Sequence, residues 1–489
     1  VTPAAADRPL LRRLPWLAVL LATLVATLLR LRLLGAGPDT DADAFGHALI
    51  ARRLLLEWRD ITIHWVWLPL WHVVGAVGAA TGHDLSAQRA VSVLASGAAP
   101  LALTALLRAR DREGYAPFIA GVLCALWPLH VVMGATAQPE STFQLLVLLA
   151  CLTWERKQPV ATGLLLGLAA LLRYEAWVLP GVFALLWWAQ GRARRGAWAW
   201  LIPGAVIVAW VLLHRAMTGE WFWFLRENRA YIARAWRELR IDERQPPSLR
   251  LAPIWYLAAV PWLSMGPPLL FALPGLPPFV RRAPRSLALV GAALLAFVTL
   301  VWVARTNLGL VRHFVVLVPV YAALIASGIT AVAGLTARAL RRPQLTRALA
   351  LGLCLAVVQH VARGPLEKQV RWATRDSRRL YVQERAVAAV LRANLGERTR
   401  VFCDVRSLEV FAQLPPWRFI RWRVSDVSDF TLLVEASQRG RVLVVTEASR
   451  AAQLHADVRV LYRDATLVVL RRDAPAVLNP RIVAMPAAD

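Results

Sequence analysis

Residues 14–47 read LPWLAVLLATLVATLLRLRLL, then GAG, then PDTDADAFGH. The run from Leu14 to Leu34 carries no acid and is long enough to cross the ~30 Å hydrocarbon core of a bilayer as a helix. Three carboxylates, Asp39, Asp41 and Asp43, follow at alternate positions where the chain leaves lipid. Carboxylates beside a bilayer are costly unless paired, hydrated or used, so this stretch fixes both a fold class and a place to look for a site.

The rest of the chain repeats the pattern. Of 489 residues, 58% are hydrophobic, and they fall in many separate runs rather than amphipathic stripes. Mean hydropathy is +0.48. A polytopic, mainly α membrane protein is the class that fits. The formal charge of +26 raises nucleic acid as a partner, but the arginines sit in short clusters between apolar runs, and no basic helix interleaved with aromatics is present. Topology and anionic headgroups account for the charge, and nucleic acid is not expected as a partner. The four cysteines, Cys124, Cys151, Cys354 and Cys403, show neither a disulfide framework nor metal-ligand spacing. The first apolar run continues into Arg30 and Arg32 without a small-residue cleavage site, so it reads as a retained span.

Twelve apolar runs precede residue 365. The one from Trp65 to Ala80 is only ~16 residues and carries His72, Pro69 and several tryptophans, which suits a helix at the interface. Without it about eleven spans remain, a count that the positive-inside rule tests. With the N-terminus inside, Arg108/Arg110/Arg112, Arg156/Lys157, Arg192/Arg194/Arg195, Arg281/Arg282/Arg285 and Arg338/Arg341/Arg342/Arg347 all fall on the inner side. The segment from Arg215 to Arg250 dissents, although acids are interspersed in it. The same assignment collects Asp39 to Asp43, His64 to His72, Gln138-Pro139-Glu140, Arg173-Tyr174-Glu175 and Arg305 to His313 on the outer side. Their convergence follows from the basic loops alone.

Seven prolines between 251 and 278 predict a broken or re-entrant element there. After Gly364, alternating patterns predict helices over 376–395, 407–414 and 429–439 and strands over 399–404, 418–422, 441–446, 457–462 and 466–470. Together they read as a small α/β domain. The expected organisation is a membrane domain over 1–365, whose loop 35–87 holds the acidic motif and interfacial helices, and an extracytoplasmic α/β domain over 366–489. With its active site also extracytoplasmic, the protein is expected in the cytoplasmic membrane.

An acidic cluster at a membrane face has three uses: a general base, a ligand set for a divalent cation, or the capped start of an interfacial helix beginning at Asp43. Arg173, Arg305, Arg312 and His313 on the same side suit a reaction in which a phosphate leaves while a hydroxyl is deprotonated. His47, His64 and His72 admit zinc ligation or ordinary interfacial hydrogen bonding, and a divalent cation stays open.

These motifs resemble those of the polytopic, lipid-phosphate-sugar-dependent glycosyltransferases with the GT-C fold, which include protein O-mannosyltransferases and the aminoarabinose transferase of lipid A. Asp41-Ala42-Asp43-Ala44-Phe45-Gly46-His47 is similar to the family's acidic motif. Trp67-Leu68-Pro69-Leu70-Trp71-His72 is similar to its second interfacial segment, Leu172-Arg173-Tyr174-Glu175-Ala176-Trp177 to an Arg-Tyr-Glu turn, and Val311-Arg312-His313-Phe314 to a basic turn before a late span. The family's acids are often adjacent, whereas these are one residue apart. The resemblance implies transfer of a hexose or mannose-like sugar, with inversion, from a polyprenyl-phosphate donor to a lipid, glycan or protein acceptor. Asp43 would be the base, with Asp41 in reserve. Arg173, Arg312, His313 and Arg305 would hold the leaving phosphate, and Glu140, Tyr174, Glu175, His47, Trp67 and His72 would bind substrate. A transporter or flippase for lipid-linked sugars is the competing class.

Overall fold

The computed structural model describes residues 9–37, 39–111, 114–191, 194–238, 253–379, 381–396, 399–403, 406–413, 419–420, 442–447, 459–463 and 467–472. The chain is a multi-pass, mainly helical membrane protein. Among the described residues, six stretches are long and apolar enough to cross a bilayer: Leu14–Ala36, Leu85–Arg108, Arg194–Thr218, Arg285–Val303, Val311–Ala339 and Pro343–Asn394. The other apolar runs form shorter or broken helices.

Helix α1 (Pro9–Ala36) leads through the acidic stretch into α2 (Ala42–Leu54), and α3 (Pro69–Ala79) follows. At 1.5 Å per residue α3 spans only ~16 Å, about half a hydrocarbon core. The Trp71 indole donates to the Ala137 carbonyl at 2.8 Å, and the Gln88 amide donates to the Trp71 carbonyl at 3.0 Å. These bonds pin α3 to α4 (Asp84–Arg108) and to the turn before α7 (Glu140–Glu155). Between them run α5 (Ala116–Leu126) and α6 (Pro128–Met133), divided at Trp127, which is extended because Pro128 disfavours helical backbone before it. Helices α8 (Pro159–Ala170) and α9 (Leu179–Ala189) are joined by a 3₁₀ turn, Tyr174–Val178. Next come α10 (Trp198–Thr218) and the amphipathic α11 (Trp223–Glu238).

The proline-rich segment is broken as its composition predicts. A π-turn (Trp255–Ala259), α12 (Val260–Met265), a 3₁₀ turn (Pro267–Phe271) and α13 (Ala272–Arg282) succeed one another, with Gly266 at φ 69° between them. Helix α14 (Arg285–Val303), a 3₁₀ helix (Val311–Leu317), α15 (Val318–Ala339) and α16 (Thr346–Val361) complete the membrane part.

The basic loops share one end. The Ser286 hydroxyl donates to Glu155 at 2.8 Å, Arg110 lies 3.9 Å from the same carboxylate, and Arg347 covers the Tyr115 ring at 5.5 Å. Four loops separated in sequence therefore touch at the end opposite the acidic stretch.

The expected helix over 376–395 is instead two. Helix α17 (Glu367–Arg379) packs on α1 and α6, and α18 (Val382–Asn394) starts after Tyr381, whose φ of 63° breaks the run. Strands β1 (Arg400–Cys403), β2 (Phe419–Ile420), β3 (Val442–Glu447), β4 (Arg459–Arg463) and β5 (Leu467–Arg472) form a sheet in the order β2-β1-β3-β5-β4. The pairs β1–β2 and β1–β3 are parallel, whereas β3–β5 and β4–β5 are antiparallel. Helix α19 (Arg406–Ala412) lies between β1 and β2. The expected helix over 429–439 lies outside the described residues.

Candidate active site

Asp41, not Asp43, caps α2. It has extended backbone, and its Oδ1 accepts from the Asp43 N–H at 3.0 Å. Asp39 sits one step earlier in the same relay, accepting from the Asp41 N–H at 3.0 Å and from the Ala137 N–H. The alternate spacing that marked this stretch is thus a pair of successive turns in which each acid holds the backbone two residues on. Asp39 is buried, and burial pushes its carboxyl up to about 6 against the opposing pull of Arg89. The capping position at Asp41 leaves Asp43 in the first turn of α2, with its side chain lining a cavity.

Arg312 reaches both acids from about 270 residues further along the chain. One terminal nitrogen donates to Asp41 and the other to Asp43, a fork that fits two carboxylates at once. Its Nε lies 3.4 Å from Glu140, and Arg173 approaches the same Glu140 oxygen at 3.2 Å. Arg173 also donates to Glu175 at 2.7 Å, and His313 Nδ1 stands 2.8 Å from Arg173 and 3.1 Å from Glu175. Burial pushes the Glu175 carboxyl up, but Arg173 and His313 outweigh it and hold it well below the ordinary carboxylate range.

The loop before Arg312 is clamped by aromatic donors. Trp236 donates to the Asn307 carbonyl at 3.1 Å, Trp255 to that of Gly309 at 3.0 Å and Tyr256 to that of Leu310 at 3.1 Å. Gly309 has φ 65°, and a Cβ there would meet the Trp302 ring at 2.4 Å.

A cavity of about 360 Å³ opens on this cluster, with Asp43, Trp67, Arg173, Tyr174, Glu175, Arg312 and His313 in its wall. Its facing wall carries Asn228, Arg229 and Tyr231 from α11, with Asn307 beside them. These four were not read as site residues from the sequence. The signal present was the amphipathic period of α11 within the arginine-rich segment that disagreed with the positive-inside assignment. A second cavity of about 350 Å³ is lined by Asp41, Ser264, Gln369 and Trp372, among others. The two acids gripped by one arginine therefore face two separate cavities.

The other candidates lie around the cluster. Glu140 is 3% exposed and sits beneath the two arginines rather than in the cavity wall. His47 and His72 are buried in a hydrogen-bonded file: His47 Nδ1 is 2.9 Å from His72 Nε2, and His72 Nδ1 is 2.8 Å from His64 Nδ1. Burial lowers His47 to about 3, against the pull of Asp43. Trp67 lies between this file and the cavity, its ring 4.4 Å from that of His47. Arg305 is exposed and covers the Trp236 ring at 5.6 Å, next to the cavity-lining Thr306. Among the described residues, no group of three or more His, Cys, Asp or Glu side chains is disposed to hold a metal ion.

ArnT from Cupriavidus metallidurans bound to undecaprenyl phosphate superposes with a TM-score of 0.62 at 17% identity, over 96% of this chain and 99% of that one. The fold is that of the GT-C glycosyltransferases. The apo oligosaccharyltransferase of Archaeoglobus fulgidus shares this GT-C architecture at a TM-score of 0.52 and 13% identity, over 88% of this chain and 69% of its own. No protein-family model and no curated protein matches the sequence.

Proposed function

We propose that the protein is an integral membrane glycosyltransferase. It moves a sugar, of the hexose or mannose class, from a polyprenyl-phosphate donor to an acceptor hydroxyl on the extracytoplasmic face. The observation that carries this reading is the Arg312 fork, which holds Asp41 and Asp43 at the boundary of two cavities. A transfer between two bulky substrates needs such a meeting point. The GT-C fold and the undecaprenyl phosphate bound to ArnT support a polyprenyl-phosphate donor.

The donor phosphate belongs in the cavity that contains Arg173, Arg229 and His313. Asp43 lines that cavity, whereas Asp41 caps α2 and lines the other one. Asp43 is accordingly the base and Asp41 the support. The acceptor, a lipid, glycan or protein hydroxyl, enters from the Asp41 side. Its oxygen attacks the anomeric carbon, its proton passes to Asp43, and the bond from that carbon to the phosphate oxygen breaks with inversion. Arg173 and Arg312 meet the charge that grows on the departing phosphate. Glu140 and Glu175 hold the two guanidiniums in place, while Trp67 and Tyr174 offer the sugar flat faces.

Sugar transfer from a polyprenyl-phosphate donor by the purified protein tests this. Asp43→Asn should lower turnover by about 10²–10⁴-fold, the usual loss on removing a general base. Full activity in Asp43→Asn, Asp41→Asn and the double variant would overturn the proposal, as would uptake of lipid-linked sugar into vesicles with no covalent product.

A further inference from the structure

A second feature lies away from the acids. A groove of about 960 Å³ runs between α1, α16 and α17. Its floor is aliphatic, and Leu21, Val25, Leu351 and Leu355 in it are 42–62% exposed. Along α1 it extends from Ala18 to Arg32, ~21 Å at 1.5 Å per residue, a little more than the ~15 Å of hydrocarbon in one leaflet.

One end of the groove is strongly basic. Arg32 of α1 and Arg371, Arg375, Arg378 and Arg379 of α17 line it, and Glu367, which pairs with Arg371, is the acid among the lining residues. Five arginines against one glutamate leave a formal charge of +4 at this mouth. The arrangement follows from α17 itself: Lys368, Arg371, Arg375 and Arg378 recur every three or four residues, while Val370, Ala373 and Ser377 are buried. Gly37 permits the close seat of α17 on the chain, since a Cβ there would meet the Ser377 carbonyl oxygen at 2.2 Å. Trp372 and Gln369 on α17 line the cavity that contains Asp41, so the basic mouth lies on the candidate-site side of the membrane.

We propose that this groove binds one phosphate-bearing anionic lipid of the leaflet on that side. An acyl chain lies along α1 and α16, and the headgroup phosphate is held by the arginines of α17. Arginine at a span end ordinarily reaches singly toward headgroups. Here five guanidiniums converge on one apolar slot about a leaflet deep, and guanidinium pairs with phosphate through two parallel hydrogen bonds. A zwitterionic lipid would leave most of that charge unmet. The inference rests on groove and charge, not on the transfer reading.

Native mass spectrometry of the full chain released from vesicles with equal phosphatidylglycerol and phosphatidylcholine tests it. One phosphatidylglycerol per chain should be retained, favoured about tenfold or more over phosphatidylcholine. The Arg371→Gln/Arg375→Gln/Arg378→Gln variant should lose the preference. Leu355→Trp, which fills the slot with every arginine intact, should lose the lipid, while the corresponding triple lysine variant keeps part of it. Glycerol 3-phosphate in millimolar excess should not displace the bound lipid. Equal retention of the two lipids, wild-type retention in Leu355→Trp, or displacement by the soluble phosphate would each overturn the proposal.

Discussion

Asp39, Asp41 and Asp43 share a spacing and differ in work, and burial separates them. Asp39 is 1% exposed, and its carboxyl is pushed up to about 6. An aspartate in an unfolded chain titrates near ~3.9. Between those values the unfolded chain gives up a proton that the folded chain keeps. The stability contributed by neutral Asp39 is therefore complete below about pH 4 and is lost as pH rises through about 6. Two units of separation correspond to about 2–3 kcal/mol. Asp39→Asn should flatten that part of the stability profile, whatever its effect on absolute stability. Thermal melting of both proteins from about pH 4 to 7 in one detergent measures this, and parallel curves would refute it. At this scale the acids, Arg173, Arg312 and His313 were legible, because basic loops assign sidedness and charged side chains at span ends have few places to go. Glu140 and His72 were read as substrate contacts and lie behind the cavity, since a sequence shows that a polar residue is near a face but not which neighbour covers it. Arg30, inside the first apolar run, is fully buried with a terminal nitrogen 3.3 Å from His130 Nδ1.

Helices in lipid gain little from apolar burial, so close backbone approach matters more than side-chain volume. Helices α13 and α15 show this. A Cβ on Gly275 would meet the Leu324 carbonyl oxygen at 2.0 Å, and one on Gly328 would meet that of Phe271 at 1.8 Å. Backbone cannot step aside as a side chain does. Gly328→Leu should cost at least about 1–3 kcal/mol by forcing the crossing apart. Gly352→Leu, where a Cβ meets nothing within 4 Å, should be close to neutral. Melting temperatures in detergent compare them, and equal values would show that the crossing is not under this constraint. The broken element around Gly266 was legible from its prolines. Helices α11 and α17 were not, because segments dense in arginine contain no apolar run to mark a helix. In both helices the positive charge lies on one face of a regular period, and that period was the signal.

At the scale of the molecule, α2 links the acids to the C-terminal sheet domain. Its first turn carries Asp43, and its last turn carries Arg52, which donates to the carbonyls of Glu409 at 3.0 Å and Val410 at 3.3 Å. Phe45, Ala48 and Leu49, on the same helix, form a small apolar cluster with Val410. Helix α2 is ~20 Å long, so anything that tilts its far end moves the acids. Arg173 and His313 sit on other elements and do not depend on that contact. Val410→Asp places an unpaired carboxylate among these apolar side chains and should loosen the docking of α2 on the sheet domain. Under the transfer reading kcat should fall by about tenfold or more, as small misplacements of a base do, while KM for the polyprenyl-phosphate donor changes little. Val410→Ile, which keeps the cluster apolar, should leave both constants near their original values. Limited proteolysis supplies the structural control, because release of the C-terminal segment should quicken in Val410→Asp alone. An unchanged kcat in a protein whose C-terminal segment is released faster would show that the sheet domain stabilises the chain without positioning the acids. A loss confined to KM would place its contribution with the donor instead.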